Sequence, residues 1–288
     1  MPASIAETIL QGAHRLRRAG VPEARREAGS LLAYVLGRDR TFILSHAEDA
    51  LGEEQAEGFR VLLERRAQGE PLQYITANQE FFGLDFEVTK DVLIPRPETE
   101  LLVENVLKLF AGSSDPFICD VGTGSGCVVV ALMKNLPQAR AIAIDISTNA
   151  LTVAQRNAAR HSVSDRIEFV HADLFAELNS RESRLVLFDL IVSNPPYVEE
   201  GAMADLQREV RDFEPHNALA AGADGLAVIR RLLVEAANFV KVGGYLLFEI
   251  GFNQSTAVEQ LLDPAVWQLL DIHKDLQGIP RTVALQRL

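Results

Sequence analysis

The sequence predicts a doubly wound α/β sheet that closes on an antiparallel terminal strand and is preceded by a small helical bundle. Three patterns predict it. Apolar residues recur at helical spacing across residues 6–66, strand-sized and helix-sized segments alternate from residue 117 onward, and two late strand-like runs flank Gly278-Ile279-Pro280. At roughly 150 residues per domain, 288 residues amount to about two domains.

The elements follow in order. Ile5, Ile9, Leu10 and Leu16 form one apolar stripe. Val21-Pro22 before Glu23 reads as a helix start with proline in the first turn, where a missing N–H costs little. Leu31, Leu32, Val35 and Leu36 carry an apolar face up to Gly37, and a further helix after Gly52 holds Phe59, Val61, Leu62 and Leu63. Residues 1–75 are assigned to this helical domain. Residues 76–90 are a linker, in which Glu80-Phe-Phe-Gly-Leu-Asp-Phe-Glu-Val88 alternates around Gly83-Leu84-Asp85 as a β-hairpin. Residues 91–288 are the α/β domain. It opens on Leu93-Ile-Pro-Arg-Pro-Glu-Thr-Glu100, a rigid turn feeding a helix. Strands are expected at 117–121, 141–145, 167–170, 187–192 and 244–250, and helices at 126–136, 148–160 and 223–240. Residues 267–272 and 282–285 complete an antiparallel edge hairpin.

Composition excludes several classes. With 48% hydrophobic and 24% charged residues the chain is neither fibrous nor disordered, and two cysteines, Cys119 and Cys127, rule out a disulfide scaffold. No apolar run reaches the ~18 residues that cross a bilayer, and the N-terminus places its basic residues after its apolar ones, unlike a signal peptide. A cytoplasmic setting is the default. The net charge of −12 falls almost wholly on residues 71–288, which disfavours nucleic acid as a direct partner because phosphate binding depends on Lys and Arg. The six histidines show no ligand spacing, so no metal is expected.

Four segments carry chemistry. Asp120-Val-Gly122-Thr123-Gly124-Ser125-Gly126 lies where a strand ends and a helix begins, and its glycines let backbone approach a ligand closely. The lysine of a P-loop is absent. Asp145, with Ile146 beside it, closes the next strand 23 residues after Gly122, where a carboxylate can accept from a ribose diol or serve as a helix cap. Asp173 follows the third strand and can accept from an adenine amino group while Leu174 or Phe175 packs on the base. The sharpest feature is Asn194-Pro195-Pro196-Tyr197 at the end of the fourth strand. Two prolines make the loop rigid, and the Asn194 side-chain oxygen with the Pro195 carbonyl can accept both hydrogens of one planar –NH2 group. Tyr197 offers a flat face for stacking.

With these residues in place the chain resembles the peptide chain release factor glutamine methyltransferases, the HemK/PrmC family, over nearly its whole length. The resemblance also rests on Phe81-Phe-Gly-Leu-Asp-Phe86, Leu93 to Glu100, Glu214-Pro215, Ala218 to Leu226, Gly243 to Gly251 with Gln254, and Asp275-Leu-Gln-Gly278. It implies a Rossmann-like class I methyltransferase sheet that binds S-adenosyl-L-methionine and releases S-adenosyl-L-homocysteine. Gly122, Gly124, Gly126 and Asp145 map onto cofactor positions and Asn194 to Tyr197 onto the glutamine pocket. The implied substrate is the glutamine of the Gly-Gly-Gln motif in class I release factors, with the helical domain as docking surface and a monomer as the working unit. The sequence departs from the family at Leu174, where some relatives carry an aromatic, and at Gly278-Ile-Pro-Arg281. The competing expectation is a DNA or RNA adenine N6-methyltransferase using the same tetrapeptide, which would need a basic recognition face.

Overall fold

The computed structural model describes residues 3–112, 115–179 and 187–288. The chain divides into two units, Met1–Asn78 with Gln207–Phe213, and Gln79–Leu206 with Glu214–Leu288.

In the first unit, α1 (Ile5–Arg18) opens on a capping box in which Ser4 and Glu7 satisfy each other's backbone N–H groups. It buries Ile5, Ala13 and Leu16, but Leu10 is 54% exposed. Leu10 lies five residues after Ile5, about 140° around the helix, which takes it off the buried stripe. The next helix, α2 (Ala24–Leu36), starts one residue after its cap Glu23, so Pro22 lies in the preceding turn and not in the first helical turn. It ends on Gly37 at φ 60°, the left-handed cap that glycine adopts without a Cβ clash. Two short helices, α3 (Arg40–Ser45) and α5 (Leu72–Thr76), flank α4 (Glu53–Ala67). The buried Arg66 guanidinium joins α4 to Glu27 of α2, and Glu209 binds it at 2.7 Å.

The second unit begins with a hairpin, β1 (Gln79–Phe81) and β2 (Leu84–Phe86). Its two-residue turn is Phe82-Gly83, both at positive φ (52° and 73°), so Leu84 and Asp85 belong to the second strand and not to the turn as the alternation suggests. Such turns match the twist of the strands they join. Helix α6 (Glu100–Leu109) follows a single 3-10 turn at Pro97–Thr99. Then come β3 (Phe117–Val121), α7 (Cys127–Asn135), β4 (Arg140–Asp145), α8 (Thr148–Arg160), β5 (Ile167–His171), α9 (Ala176–Asn179) and β6 (Phe188–Ser193). After β6 the chain gives α10 (Arg208–Phe213) to the first unit, then returns as α11 (Ala227–Ala236), β7 (Val240–Glu249), α12 (Ser255–Leu261), β8 (Trp267–Lys274) and β9 (Pro280–Arg287). The helix expected at 223–240 is shorter at both ends. Gly222 and Gly225 sit at positive φ before it, and Val240 already pairs with Phe188.

The sheet order is β5-β4-β3-β6-β7-β9-β8, with β3 to β7 parallel and β9 antiparallel between β7 and the edge strand β8. Side chains alternate across it: Cys119, Ile142, Ile191 and Leu246 face the core under α11, while Ile118, Ala141, Leu190 and Leu247 face α6 and α7. Both faces are therefore covered, which is the expected doubly wound arrangement. Among the described residues, no helix is long and apolar enough to cross a membrane.

Candidate active site

In an open parallel sheet, ligands bind beyond the carboxyl ends of the strands where the strand order reverses. The reversal here is at β3, with β4 and β5 on one side and β6 and β7 on the other. The loops after β3 to β6 meet at that edge around a cleft of about 300 Å³. Asp120, Gly122, Thr123, Gly124, Ser125, Asp145, Ile146, Asp173, Leu174, Asn194, Pro195 and Pro196 all line it. Of the predicted site residues only Gly126 and Tyr197 lie outside the lining. Gly126 instead caps α7 at φ 79°, where a Cβ would come 3.1 Å from the Ala154 Cβ on α8.

Backbone shapes one end of the cleft. Gly122 and Thr123 donate to the Ile144 carbonyl at 2.8 and 2.9 Å, while Asp145 accepts from Gly124 N at 2.8 Å and from Ser147 N at 2.9 Å. Burial pushes the Asp145 carboxyl up, against the pull of these N–H groups. Each of its oxygens keeps a further lone pair for a ligand. Asp120 accepts from the Thr123 hydroxyl at 2.7 Å, and burial raises its pKa to about 7. The exposed Ile146, at 57%, presents apolar surface at the cleft. Asp173 takes both of its oxygens to Arg231 Nη1, at 3.0 and 3.1 Å. Leu174 walls the cleft, whereas Phe175 is fully buried and stacks on Phe239.

Side chains from distant segments shape the other end. The Asn194 amide nitrogen donates to Thr99 Oγ1 at 3.0 Å, and Thr99 Oγ1 donates to Glu249 Oε2 at 2.6 Å. The Tyr197 hydroxyl donates to the other Glu249 oxygen at 3.1 Å. Glu249 ends β7 and is 1% exposed, and burial raises its pKa. Burial and the neighbouring Glu249 charge raise that of Tyr197 as well.

A family model for the PrmC N-terminal domain matches residues 7–76, and one for the methyltransferase small domain matches residues 97–211. A release factor glutamine methyltransferase of Koribacter versatilis is 41% identical over 93% of this chain and 93% of its own length. That of Nitratidesulfovibrio vulgaris is 38% identical over 99% of this chain and 98% of its own. The chain belongs to the release factor glutamine methyltransferase family. A crystal structure of a methyltransferase from Pyrococcus furiosus covers 72% of this chain and 90% of its own at 17% identity and a TM-score of 0.51, a likeness of fold alone.

In this family member, Gln254 and the glycines beside it tie the segments behind the cleft together. Gln254 donates to the carbonyls of Tyr197 (3.0 Å) and Gly225 (3.2 Å) and accepts from Gly251 N (2.8 Å), which satisfies its whole amide. Gly225 allows this approach, because a Cβ there would lie 2.4 Å from the Tyr197 carbonyl oxygen. Asn157, Thr99 and Arg231 were not singled out by the sequence. Asn157 is fully buried on α8 and binds the Ser125 carbonyl and both backbone groups of Glu87. A polar residue on the apolar face of a predicted helix was the signal for it, since a buried amide requires partners.

Proposed function

We propose that this enzyme transfers the methyl group of S-adenosylmethionine to the side-chain amide nitrogen (N5) of the glutamine in the Gly-Gly-Gln motif of class I release factors, leaving S-adenosylhomocysteine. The carrying observation is the orientation of Asn194: its amide nitrogen donates to Thr99, which leaves its Oδ1 as the acceptor for a substrate, and Asn194 and Pro195 both line the cleft. The cleft fits the donor. Asp145 holds lone pairs at the place of a ribose diol, Ile146 and Leu174 supply apolar walls for a base, and Asp173 stands at its rim. When bound, S-adenosylmethionine supplies a methyl group made electrophilic by its sulfonium.

An amide nitrogen is a poor nucleophile because its lone pair is delocalised into the carbonyl. Asn194 Oδ1 and the Pro195 carbonyl would accept its two N–H bonds, fix its direction and favour the positive charge it gains as the new bond forms. No base is needed at attack, since the alkylated nitrogen becomes acidic and releases its proton to water. Asn194, Pro195, Pro196 and Tyr197 are the proposed acceptor site. Asp120, Gly122, Thr123, Gly124, Ser125, Gly126, Asp145, Ile146, Asp173 and Leu174 are the proposed donor site, with Asn194 shared between the two sites. Residues 1–75 are proposed to dock the release factor and 76–90 to link the domains, with a monomer in the cytoplasm as the working form and nucleic acid not a substrate.

The test is methyl transfer from labelled S-adenosylmethionine to a purified class I release factor, beside its Gly-Gly-Gln glutamine-to-alanine variant and unmethylated DNA. Label on the wild-type factor alone is expected. Label on DNA alone would keep the acceptor chemistry and overturn the protein substrate.

A further inference from the structure

An asparagine amide can be turned over with almost no change of shape, exchanging an acceptor for a donor at the cleft wall, so something must decide which atom faces the substrate. The hydrogen-bond chain from Asn194 through Thr99, which also lines the cleft, to the buried Glu249 decides it. We infer that Glu249, acting through Thr99, sets the sense of the Asn194 amide and thereby makes the pocket select –NH2 groups; the inference rests on the reading above that Asn194 Oδ1 accepts from the substrate.

An ionised carboxylate has no proton to give, so the two hydroxyls that meet Glu249, Thr99 at 2.6 Å and Tyr197 at 3.1 Å, must both donate to it. The shorter distance is that of a charge-assisted O–H···O⁻ bond. A threonine hydroxyl carries one proton. With it spent on Glu249, Thr99 Oγ1 can only accept from its other neighbour, and the Asn194 amide must turn its –NH2 toward it at 3.0 Å. Oδ1 then points the other way. Burial and the charge of Glu98 raise the Glu249 pKa, and the two donated hydroxyls and the charge of Arg281 oppose that rise. The same carboxylate holds the Tyr197 hydroxyl, so one side chain at the end of β7 pins the tetrapeptide at its first and last residues. Glu249 and Thr99 are thus positioning residues, with no contact to the substrate required of either.

The chain can be reversed with little change of shape. In Glu249→Gln the new side chain can still accept from Tyr197 through its oxygen, but its –NH2 donates to Thr99 Oγ1. The Thr99 proton is then free to bind Asn194 Oδ1, and a donor is turned toward the substrate's own N–H bonds. Glu249→Gln and Thr99→Val are each expected to lower kcat toward the release factor about 100-fold, the scale of a displaced catalytic contact, with binding of S-adenosylmethionine little altered. Thr99→Ser keeps the hydroxyl and should keep most of the turnover. The double variant should be no worse than Thr99→Val alone, because Glu249 acts through Thr99. Should Glu249→Gln fold poorly, Thr99→Val and Thr99→Ser read the same link. A wild-type kcat in Glu249→Gln or Thr99→Val, losses that multiply in the double variant, or a Thr99→Ser as poor as Thr99→Val would each overturn the inference. Loss in Asn194→Ala beside full activity in Glu249→Gln would remove the relay alone, whereas full activity in Asn194→Ala would remove the acceptor reading beneath it.

Discussion

The two ends of the cleft are held by different means. At the donor end, Asp145 is fixed by the N–H groups of Gly124 and Ser147, and the turn after β3 by the Ile144 carbonyl, so backbone defines the surface. At the acceptor end, Asn194 depends on Thr99, 95 residues away, and through it on Glu249, 150 residues from Thr99. Backbone bonds survive most side-chain replacements near them, but a side-chain relay fails when one atom changes. Substitutions at the donor end should therefore weaken binding in proportion to what is removed, and substitutions at the acceptor end should act on the chemical step.

The largest effect sought is on stability at the donor end, where Asp120 is the exception to backbone control. Burial raises its pKa from 3.8 to about 7, so between these values the folded chain holds a proton that the unfolded chain has released. The stability this contributes is complete below about pH 4 and is lost as pH rises through about 7. Asp120→Asn removes the dependence. The difference in unfolding free energy between variant and wild type should shift in the variant's favour from pH 4 to pH 8, by at most about 4 kcal/mol. Comparing the two proteins at each pH cancels the other carboxylates, and a difference that does not change with pH would place the Asp120 proton elsewhere. Next is Asn194→Ala. Loss of one preorganised polar group should raise the barrier by about 3 kcal/mol, seen in kcat, with a far smaller change in affinity for S-adenosylmethionine. An effect confined to KM would mean that the two ends do not divide binding from chemistry.

The same contrast governs what the sequence made legible. Helix α8 runs over the expected 148–160 because its apolar face is periodic and Ser147 caps it locally. The glycine loop and Asp145 were legible because their geometry is set by neighbours in the chain. Helices of five and six residues, α5 and α3, are too short to show a period. Thr99 and Glu249 lay in recognisable motifs, but no local rule joins the turn before α6 to the end of β7; only the strand order, which puts β7 beside β6, brings them to Asn194. The Tyr197 ring, read from sequence as a stacking face, sits outside the cleft lining with its hydroxyl on Glu249, a partner that the tetrapeptide alone does not indicate.

A smaller effect is expected for Asp145→Asn. The amide can accept one of the two N–H groups but sets a donor against the other, so the loop loses one charge-assisted bond and any ribose diol loses an acceptor. Binding of S-adenosylmethionine should weaken by about 2 kcal/mol, the value of a hydrogen bond to a charged group, which is a dissociation constant about 30-fold higher, while kcat at saturating donor stays close to wild type. A fall in kcat at saturation would show that donor-end geometry reaches the chemical step.

The smallest effect belongs to the Asp173–Arg231 pair, which tests whether the donor end has a side-chain relay of its own. Both side chains are about half exposed, at 51% and 48%, so water screens the charges and their pairing contributes roughly 0–1 kcal/mol to stability. If Arg231 merely neutralises Asp173, Arg231→Ala frees the carboxylate for an adenine amino group and affinity for S-adenosylmethionine holds or improves slightly. If Arg231 instead orients Asp173 as Thr99 orients Asn194, the same variant weakens binding. The exposure favours the first outcome, because a carboxylate in water can turn to meet a ligand without help. Calorimetric titration of Arg231→Ala beside Asp173→Asn distinguishes the two: a loss in the second alone keeps the donor end a matter of backbone and one free carboxylate, and equal losses in both would erase the distinction between the two ends.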